Sequence, residues 1–378
     1  MHIVIASVFD PIPSDRVSLG RYFFLSKALQ ERGHQVTCIT SDFFHASKSF
    51  RSELQEEKNG ITYIQIKACG YIKNVGLARL LDHFVLALRA NKVFSKLHSN
   101  KKIDLVVCAS PPLHWANYIL KFCKKNQIKS VLDIQDNWPK AFKSTNLLLY
   151  RISLNAFPLH LVRKQNQQIA DRVVAVTSDY LTTVLPKKKS VFYLGAPVLE
   201  IQKAILDDKY QPATKLRFVY MGNCSSHQSL LEFLEKNKHA NIEVNYIGTC
   251  LDTRIKEHPL INYFGVLSGD ALYHSLASND YGLFINDQEK EIRMPNKLFY
   301  YWACGLPVLG ISITGEAFDI IQSMGGIVAN HEELNILKLQ ESLLSMDRDK
   351  IKLNALQYYD ERTIYQDYAM FLENLILS

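Results

Sequence analysis

No stretch of this chain reaches the run of about 18 apolar residues that a membrane-spanning helix requires, so an integral membrane protein is not expected. The first residues, Met-His-Ile-Val-Ile-Ala-Ser-Val-Phe, lack the cationic start and long apolar core of a secretory signal, and a cytoplasmic protein is expected. Cysteine is sparse: seven residues, at 38, 69, 108, 123, 224, 250 and 304, with no Cys-x-x-Cys pair and no zinc-ligand spacing. An odd, dispersed set fits a reducing compartment and argues against a disulfide framework or a metal cluster. No Gly-x-Gly-x-x-Gly run follows the first apolar segment, which speaks against a dinucleotide cofactor there. Nucleic-acid-binding motifs are missing too, so no nucleic-acid partner is expected.

What is present is a globular composition, 47% apolar and 21% charged, over 378 residues. That is about twice the usual single-domain length, so two domains are expected. Charge is uneven. Residues 1–200 hold 28 Lys and Arg against 14 Asp and Glu, and the remainder holds 16 against 23. A basic half joined to an acidic half suggests that the first faces something anionic, a membrane surface, a lipid diphosphate or nucleic acid, with the membrane ranked first because nucleic-acid motifs are missing; a solvated basic face is the plain alternative.

Along the chain, short apolar runs alternate with helical periodicity. His2–Val8 reads as a buried parallel strand, 18–31 as a helix closed by Gly33, and Val36–Thr40 as the second strand. Gly60–Lys67, Asp104–Pro112, Val131–Ile134, Asp171–Val176 and Lys187–Gly195 read as further strands, with a long basic amphipathic helix over 77–98. Thr177-Ser-Asp179 reads as a helix start. Residues 146–162 are unusually apolar and flanked by Arg151, Arg163 and Lys164; such a segment either lies on a membrane surface or packs against a domain. Ala196-Pro-Val marks a linker, after which the α/β pattern restarts at Leu216.

The most informative stretch is Lys290–Gly310. Pro295 suits a first helical turn, Gly305 a left-handed residue after the last turn, and Val308–Ile311 a buried strand after Pro307. A helix opening at the C-terminal end of strand 280–285 would aim free N–H groups outward, with Asn296 and Lys297 adding a donor and a cation. A plain crossover helix has the same spacing. The second informative string is Ser130-Val-Leu-Asp-Ile-Gln-Asp-Asn-Trp-Pro139, where Asp136 stands at a strand's C-terminal end. Ligands gather there in open α/β sheets. Asp136 either takes or orients a proton or caps the next helix.

Met294-Pro-Asn-Lys-Leu-Phe-Tyr-Tyr-Trp-Ala-Cys-Gly-Leu-Pro-Val308 resembles the donor segment of bacterial GT-B glycosyltransferases, the family 4 (group 1) enzymes of polysaccharide assembly. Their pattern is roughly Pro-x-Lys-x-x-Glu-Tyr-x-Ala-x-Gly-x-Pro-Val. Tyr300 stands where that family has a ribose-gripping Glu, and the family's earlier Glu falls on Ile292. Asp136 and Trp138 match the family's Asp-Ile-Arg-Asp-Leu-Trp-Pro, with Gln135 in place of its Arg. The family's Arg and Lys after the Gly of the first second-domain strand are absent; here the turn reads Gly222-Asn-Cys-Ser-Ser-His227.

The resemblance implies an α/β GT-B fold, two Rossmann-like domains facing across a cleft. It divides the chain into 1–198 on the acceptor side, with a C-terminal helix of about 362–378 packed back on it, and 199–361 for the nucleotide-sugar. It implies a glycosyltransferase, of hexosyl type, retaining and metal-independent. Such an enzyme would move sugar from a nucleotide-sugar, UDP-linked by expectation, to a hydroxyl of a glycan or polyprenyl-diphosphate-linked acceptor at the inner membrane face, with no cofactor. Asp136 is the expected catalytic residue. Gly222, Asn223, His227, Gly265, Val266, Met294, Pro295, Asn296, Lys297 and Tyr300 are the expected donor contacts. Arg16, His45 and Trp138 are the expected acceptor contacts. A sugar-nucleotide 2-epimerase and a catalytically silent transferase-like subunit are the alternatives.

Overall fold

The computed structural model describes residues 1–17, 19–74, 76–140, 148, 151–152, 155, 158–208, 210, 213–223, 228–286, 294–330, 332, 334–343 and 345–378. The chain divides into two compact units, residues 1–193 together with 364–378, and residues 194–363.

The first unit carries β1 (His2–Ala6), α1 (Arg21–Glu31), β2 (Gln35–Ser41), a hairpin β3 (Phe43–Phe44) and β4 (Ser49–Phe50), β5 (Gln55–Lys58) and β6 (Ile61–Ile66). There follow α2 (Leu77–Asn100), β7 (Leu105–Ser110), α3 (Leu113–Lys125), β8 (Lys129–Ile134), α4 (Leu159–Ile169), β9 (Arg172–Ala175) and β10 (Lys189–Val191). The sheet runs β10-β9-β8-β7-β1-β2-β6-β5, parallel except for the antiparallel edge β5. The inner strands are apolar nearly throughout because they are buried on both faces; β1 and β7 have no exposed position. Chain order reverses between β1 and β7, and the strand C-termini on either side of that point frame the crevice where such sheets take ligands.

The second unit carries α5 (Val198–Ala204), β11 (Leu216–Met221), α6 (Gln228–Lys236), β12 (Ile242–Ile247), α7 (Thr253–Lys256), β13 (Ile261–Gly265), α8 (Gly269–Ala277) and β14 (Tyr281–Ile285). It continues with α9 (Lys297–Ala303), β15 (Val308–Ile311), α10 (Glu316–Ser323), β16 (Ile327–Ala329), α11 (Ile336–Leu343) and α12 (Arg348–Tyr359). Its order, β13-β12-β11-β14-β15-β16, is wholly parallel and reverses between β11 and β14. Both sheets are thus Rossmann-like.

The last helix, α13 (Glu361–Leu377), sends Tyr365, Tyr368, Leu372 and Leu375 into the same core as Ile3, Ile5, Leu25 and Leu29. Under it lies a buried ion pair. Arg21 Nε donates to Asp133 Oδ2 at 2.8 Å, the Tyr368 hydroxyl donates to the same oxygen at 3.2 Å, and the guanidinium sits 5.2 Å from the Tyr368 ring centre. An unpaired charge there would be costly, and the geometry satisfies both.

Several elements differ from the sequence reading. The strand expected over Lys187–Gly195 shrinks to Lys189–Val191, and Thr177 opens only a 3-10 turn over Ser178–Leu181. The β3–β4 hairpin over residues 43–50 was not anticipated, and the polar strand β5 had no apolar signal to announce it. Pro295 lies before helix α9 rather than in its first turn. Of the apolar stretch 146–162, only Leu148, Arg151, Ile152, Asn155 and residues 158–162 are described.

Candidate functional sites in the two units

In the first unit, chemistry gathers around the C-terminal ends of β1 and β8. Strand β8 ends at Ile134, Gln135 N donates to Ser110 O at 2.8 Å, and Asp136 follows half-buried. Trp138 N folds back onto Asp136 O at 3.0 Å and puts the indole inward, 4% exposed. Asn137 beside it accepts from Arg163 of α4.

The loop after β1 contributes Phe9, and the turn between β3 and β4 contributes His45 and Lys48. Asp82 of α2 fixes a third segment by accepting from Cys69 N (2.6 Å) and Gly70 N (2.9 Å), which places Tyr71. These parts converge on Arg79 and His83 of α2. The Arg79 guanidinium lies 4.9 Å from the Phe9 ring centre, 5.0 Å from Trp138 and 5.6 Å from Tyr71. His83 is 5.4 Å from Phe9, 5.7 Å from Trp138 and 6.0 Å from Tyr71. Both of its ring nitrogens are buried without a hydrogen-bond partner among the described residues. At His45, the Tyr71 hydroxyl (2.6 Å) and the Lys48 ammonium (2.9 Å) both point at Nδ1. An ammonium only donates, so this nitrogen accepts and the ring is neutral. Burial, then Arg79 and Lys48, push the His45 pKa down to about 4.

Of the expected acceptor contacts, His45 and Trp138 join this group. Arg16 stands apart, exposed at the left-handed end of the 3-10 turn Pro13–Asp15. The cation that organises that loop is Arg51, which pairs with Asp15 at 2.6 Å and donates to Ser41 O. Sequence reasoning missed Arg79, His83, Tyr71, Phe9 and Lys48. The available signal was His83 next to Asp82 among the apolar residues of α2, a polar pair on an inward face.

In the second unit, the expected donor residues divide. Lys297 opens α9, half-buried, with its ammonium 4.2 Å from the Tyr220 ring centre and 5.5 Å from Phe284. Among the described residues no carboxylate pairs with it, and burial alone lowers its pKa to about 8. The turn after β11 lies at the same place, because Met221 N donates to the Tyr301 hydroxyl of α9 at 2.8 Å. Here Gly222 O accepts from Tyr246 Oη at 3.0 Å and Asn223 Oδ1 from Thr249 N at 3.1 Å. Gly248, not foreseen, is required: a Cβ there would sit 2.1 Å from Gly222 O, at a φ of +134°. At the end of β13, Gly265 has φ +70° and open space around it, Val266 is 74% exposed, and Gly248 N donates to Gly265 O at 2.7 Å.

Asn296 is exposed at the start of α9, Pro295 is half-buried, and Met294 is buried as packing. Tyr300 is half-buried; burial raises its pKa, helped by the Glu361 and Glu200 carboxylates. His227, with residues 224–226, lies outside the described residues, as do Glu291, Ile292 and Arg293. The string Asp347-Arg-Asp349 resembles a metal motif in spelling only: Asp347 caps α12 by accepting from Lys350 N at 2.9 Å, and Asp349 approaches Lys352 at 3.7 Å.

No protein-family model and no curated protein matches the sequence. Solved structures do. Sucrose-phosphate synthase from Thermosynechococcus elongatus is similar over 100% of this chain and 99% of its own, at 13% identity and a TM-score of 0.71. Anabaena HepE in complex with UDP-glucose is similar over 99% and 100%, at 15% identity and a TM-score of 0.63. WaaG, a glycosyltransferase involved in lipopolysaccharide biosynthesis, is similar over 97% and 95%, at 13% identity and a TM-score of 0.52. The fold is therefore the GT-B fold of these proteins.

Proposed function

We propose that the protein is a glycosyltransferase that moves a sugar from a nucleotide-sugar to an acceptor hydroxyl in the synthesis of a bacterial surface polysaccharide. The observation that carries this reading is Lys297. A cation without a carboxylate partner among the described residues, desolvated enough to lower its pKa to about 8, stands at the switch point of the second sheet. Such a group is costly in the free protein and is stabilised by an anion. A leaving nucleoside diphosphate gains negative charge as the glycosidic bond breaks, so Lys297 would favour the transition state over the ground state. Helix α9 has only seven residues, and its dipole adds less than the ammonium. HepE, solved in complex with UDP-glucose, supports a UDP-sugar donor by likeness of fold. The Gly222, Gly248 and Gly265 turns would let backbone approach the nucleotide.

Asp136 would orient or deprotonate the acceptor hydroxyl in the first unit. Turnover is expected to be metal-independent and retaining. EDTA that abolishes transfer, restored by a divalent ion, would refute the first, and the anomeric configuration of product decides the second. The acceptor is read as lipid-linked, with the protein peripheral on an anionic membrane. In support, Leu77, Leu81 and Leu88 are exposed on one face of α2, which also carries Arg89, Lys92 and Lys96. No helix among the described residues is long and apolar enough to cross a membrane.

The test is thermal shift with UDP-, GDP-, ADP- and CMP-sugars, on wild type and Lys297→Ala. One nucleotide should raise the melting temperature, and the variant should lose the response. Tyr300 favours a second reading, in which the protein binds donor without transferring it. A nucleotide shift with no transfer in any acceptor screen would select that reading, and no shift with any nucleotide would refute both.

A further inference from the structure

Arg79 and Lys48 form an electrostatic problem inside the first unit that no described carboxylate resolves by direct pairing. The Arg79 guanidinium is half-buried among aromatic rings; its Nε is buried without a partner among the described residues, Nη1 donates to the Asn74 carbonyl at 2.6 Å, and the Tyr71 hydroxyl also accepts from the guanidinium. No carboxylate among the described residues comes within ion-pair distance of it; Asp136 acts on it only through space. Lys48 lies over the Tyr71 ring at 4.8 Å and gives its hydrogen bond to neutral His45. Burial, then Arg79, lowers the Lys48 pKa, and both cations depress His45 after burial does. Asp82 faces the same ring but spends one oxygen on two backbone N–H groups.

Two neighbouring cations with no carboxylate in contact among the described residues raise the energy of the empty site and lower that of an occupied one. A guanidinium offers a planar fork for two phosphate oxygens, and an ammonium a point charge for a third. Phe9, Tyr71 and Trp138 supply flat apolar faces of the kind on which a sugar ring packs. His83, 2% exposed with both ring nitrogens unpartnered among the described residues, leaves a donor and an acceptor for hydroxyl groups or an ordered water.

We propose that Arg79 and Lys48, walled by Phe9, Tyr71, His83 and Trp138, bind a phosphoryl group attached to a sugar, and that this is the acceptor's phosphate or diphosphate. Only the word acceptor rests on the glycosyltransferase reading; the anion site stands on the first unit alone. The chemistry is shared by a lipid-linked sugar diphosphate and a free sugar phosphate.

Calorimetric titration of the full chain with pyrophosphate, glucose 1-phosphate, geranyl diphosphate, glucose and glucuronate tests the site. Wild type should bind the phosphorylated probes. Arg79→Gln should weaken them at least tenfold, Arg79→Lys less, and Lys92→Gln not at all. Binding that survives in Lys297→Ala but falls in Lys297→Ala/Arg79→Gln belongs to the first unit. Geranyl diphosphate binding tightest selects a lipid-linked source, and glucose 1-phosphate binding tightest a soluble one. Unchanged affinity in a folded Arg79→Gln protein, or glucuronate binding as well as glucose 1-phosphate, overturns the proposal. Should Arg79→Gln fail to fold, histidine NMR on the wild type decides. Phosphate must move the His45 imidazole signal, identified with His45→Gln, and raise its pKa; an unmoved signal overturns it. If nucleotide-sugars fail to bind while sugar phosphates bind through Arg79, the transferase reading fails and the anion site remains.

Discussion

Replacing Lys297 by Met should make the free protein more stable and blind to its donor. The ammonium titrates at about 8 in the folded chain against an ordinary 10.5, and burial is the cause. At 1.36 kcal/mol per unit, carrying the charged form at neutral pH costs about 3 kcal/mol. The contact over Tyr220 returns about 1 kcal/mol of this. A methionine of similar length, which keeps the packing, should therefore gain about 2 kcal/mol. For a unit of residues 194–363, that is a rise of about 4–8 °C in melting temperature. The pH dependence identifies the cause. Because the folded pKa lies below the unfolded one, the unfolded chain binds the extra proton between about pH 8 and 10.5, and wild-type stability rises across that window. The gap between wild type and variant should be largest at pH 7 and shrink to about 1 kcal/mol or less by pH 10. Calorimetric melts of both proteins at pH 7, 8, 9 and 10, with and without UDP-sugar, read all of this. A variant that melts at or below wild type at pH 7, or a gap that does not narrow toward pH 10, would refute the reasoning.

Asp136→Asn should lower transfer by about 10²–10⁴-fold while leaving the nucleotide-sugar thermal shift intact, as expected of an acceptor-side base. Gly248→Ala forces a methyl onto the Gly222 carbonyl. It should destabilise the second unit by more than the roughly 1 kcal/mol of an ordinary turn substitution and weaken donor response, both visible in thermal melts. Arg21→Met should cost about 3–5 kcal/mol in urea unfolding by stranding the Asp133 carboxylate, and Arg21→Met/Asp133→Leu should recover much of it.

The sheets were legible because a strand buried on both faces must be apolar along its length: Val308–Ile311 was read at its true bounds. The stop at Gly305 was legible because a left-handed residue there needs glycine, and its φ is +74°. Strand β5, Gln-Glu-Glu-Lys, was not, since an exposed edge strand is held by backbone pairing that leaves no hydrophobic period. The same limit applies to the aromatic and basic group around Arg79. Its members come from five separated segments, and only His45 and Trp138 stood in strings with meaning of their own. Lys297 was legible from its place before a helix. The absence of a carboxylate partner for it among the described residues was not, because pairing is a property of space and not of sequence.

The chain leaves the first unit at residue 193 and re-enters it at 364. On the ribosome, residues 1–193 emerge first, yet five of the side chains that close their core, Tyr365 to Leu375, are synthesised after everything in 194–363. The second unit has its whole sequence available earlier and can complete before the first. The usual order of vectorial folding, first domain first, is thereby inverted. Until the last helix arrives, the face carrying Ile5, Leu25 and Leu29 stays open to aggregation or chaperone binding.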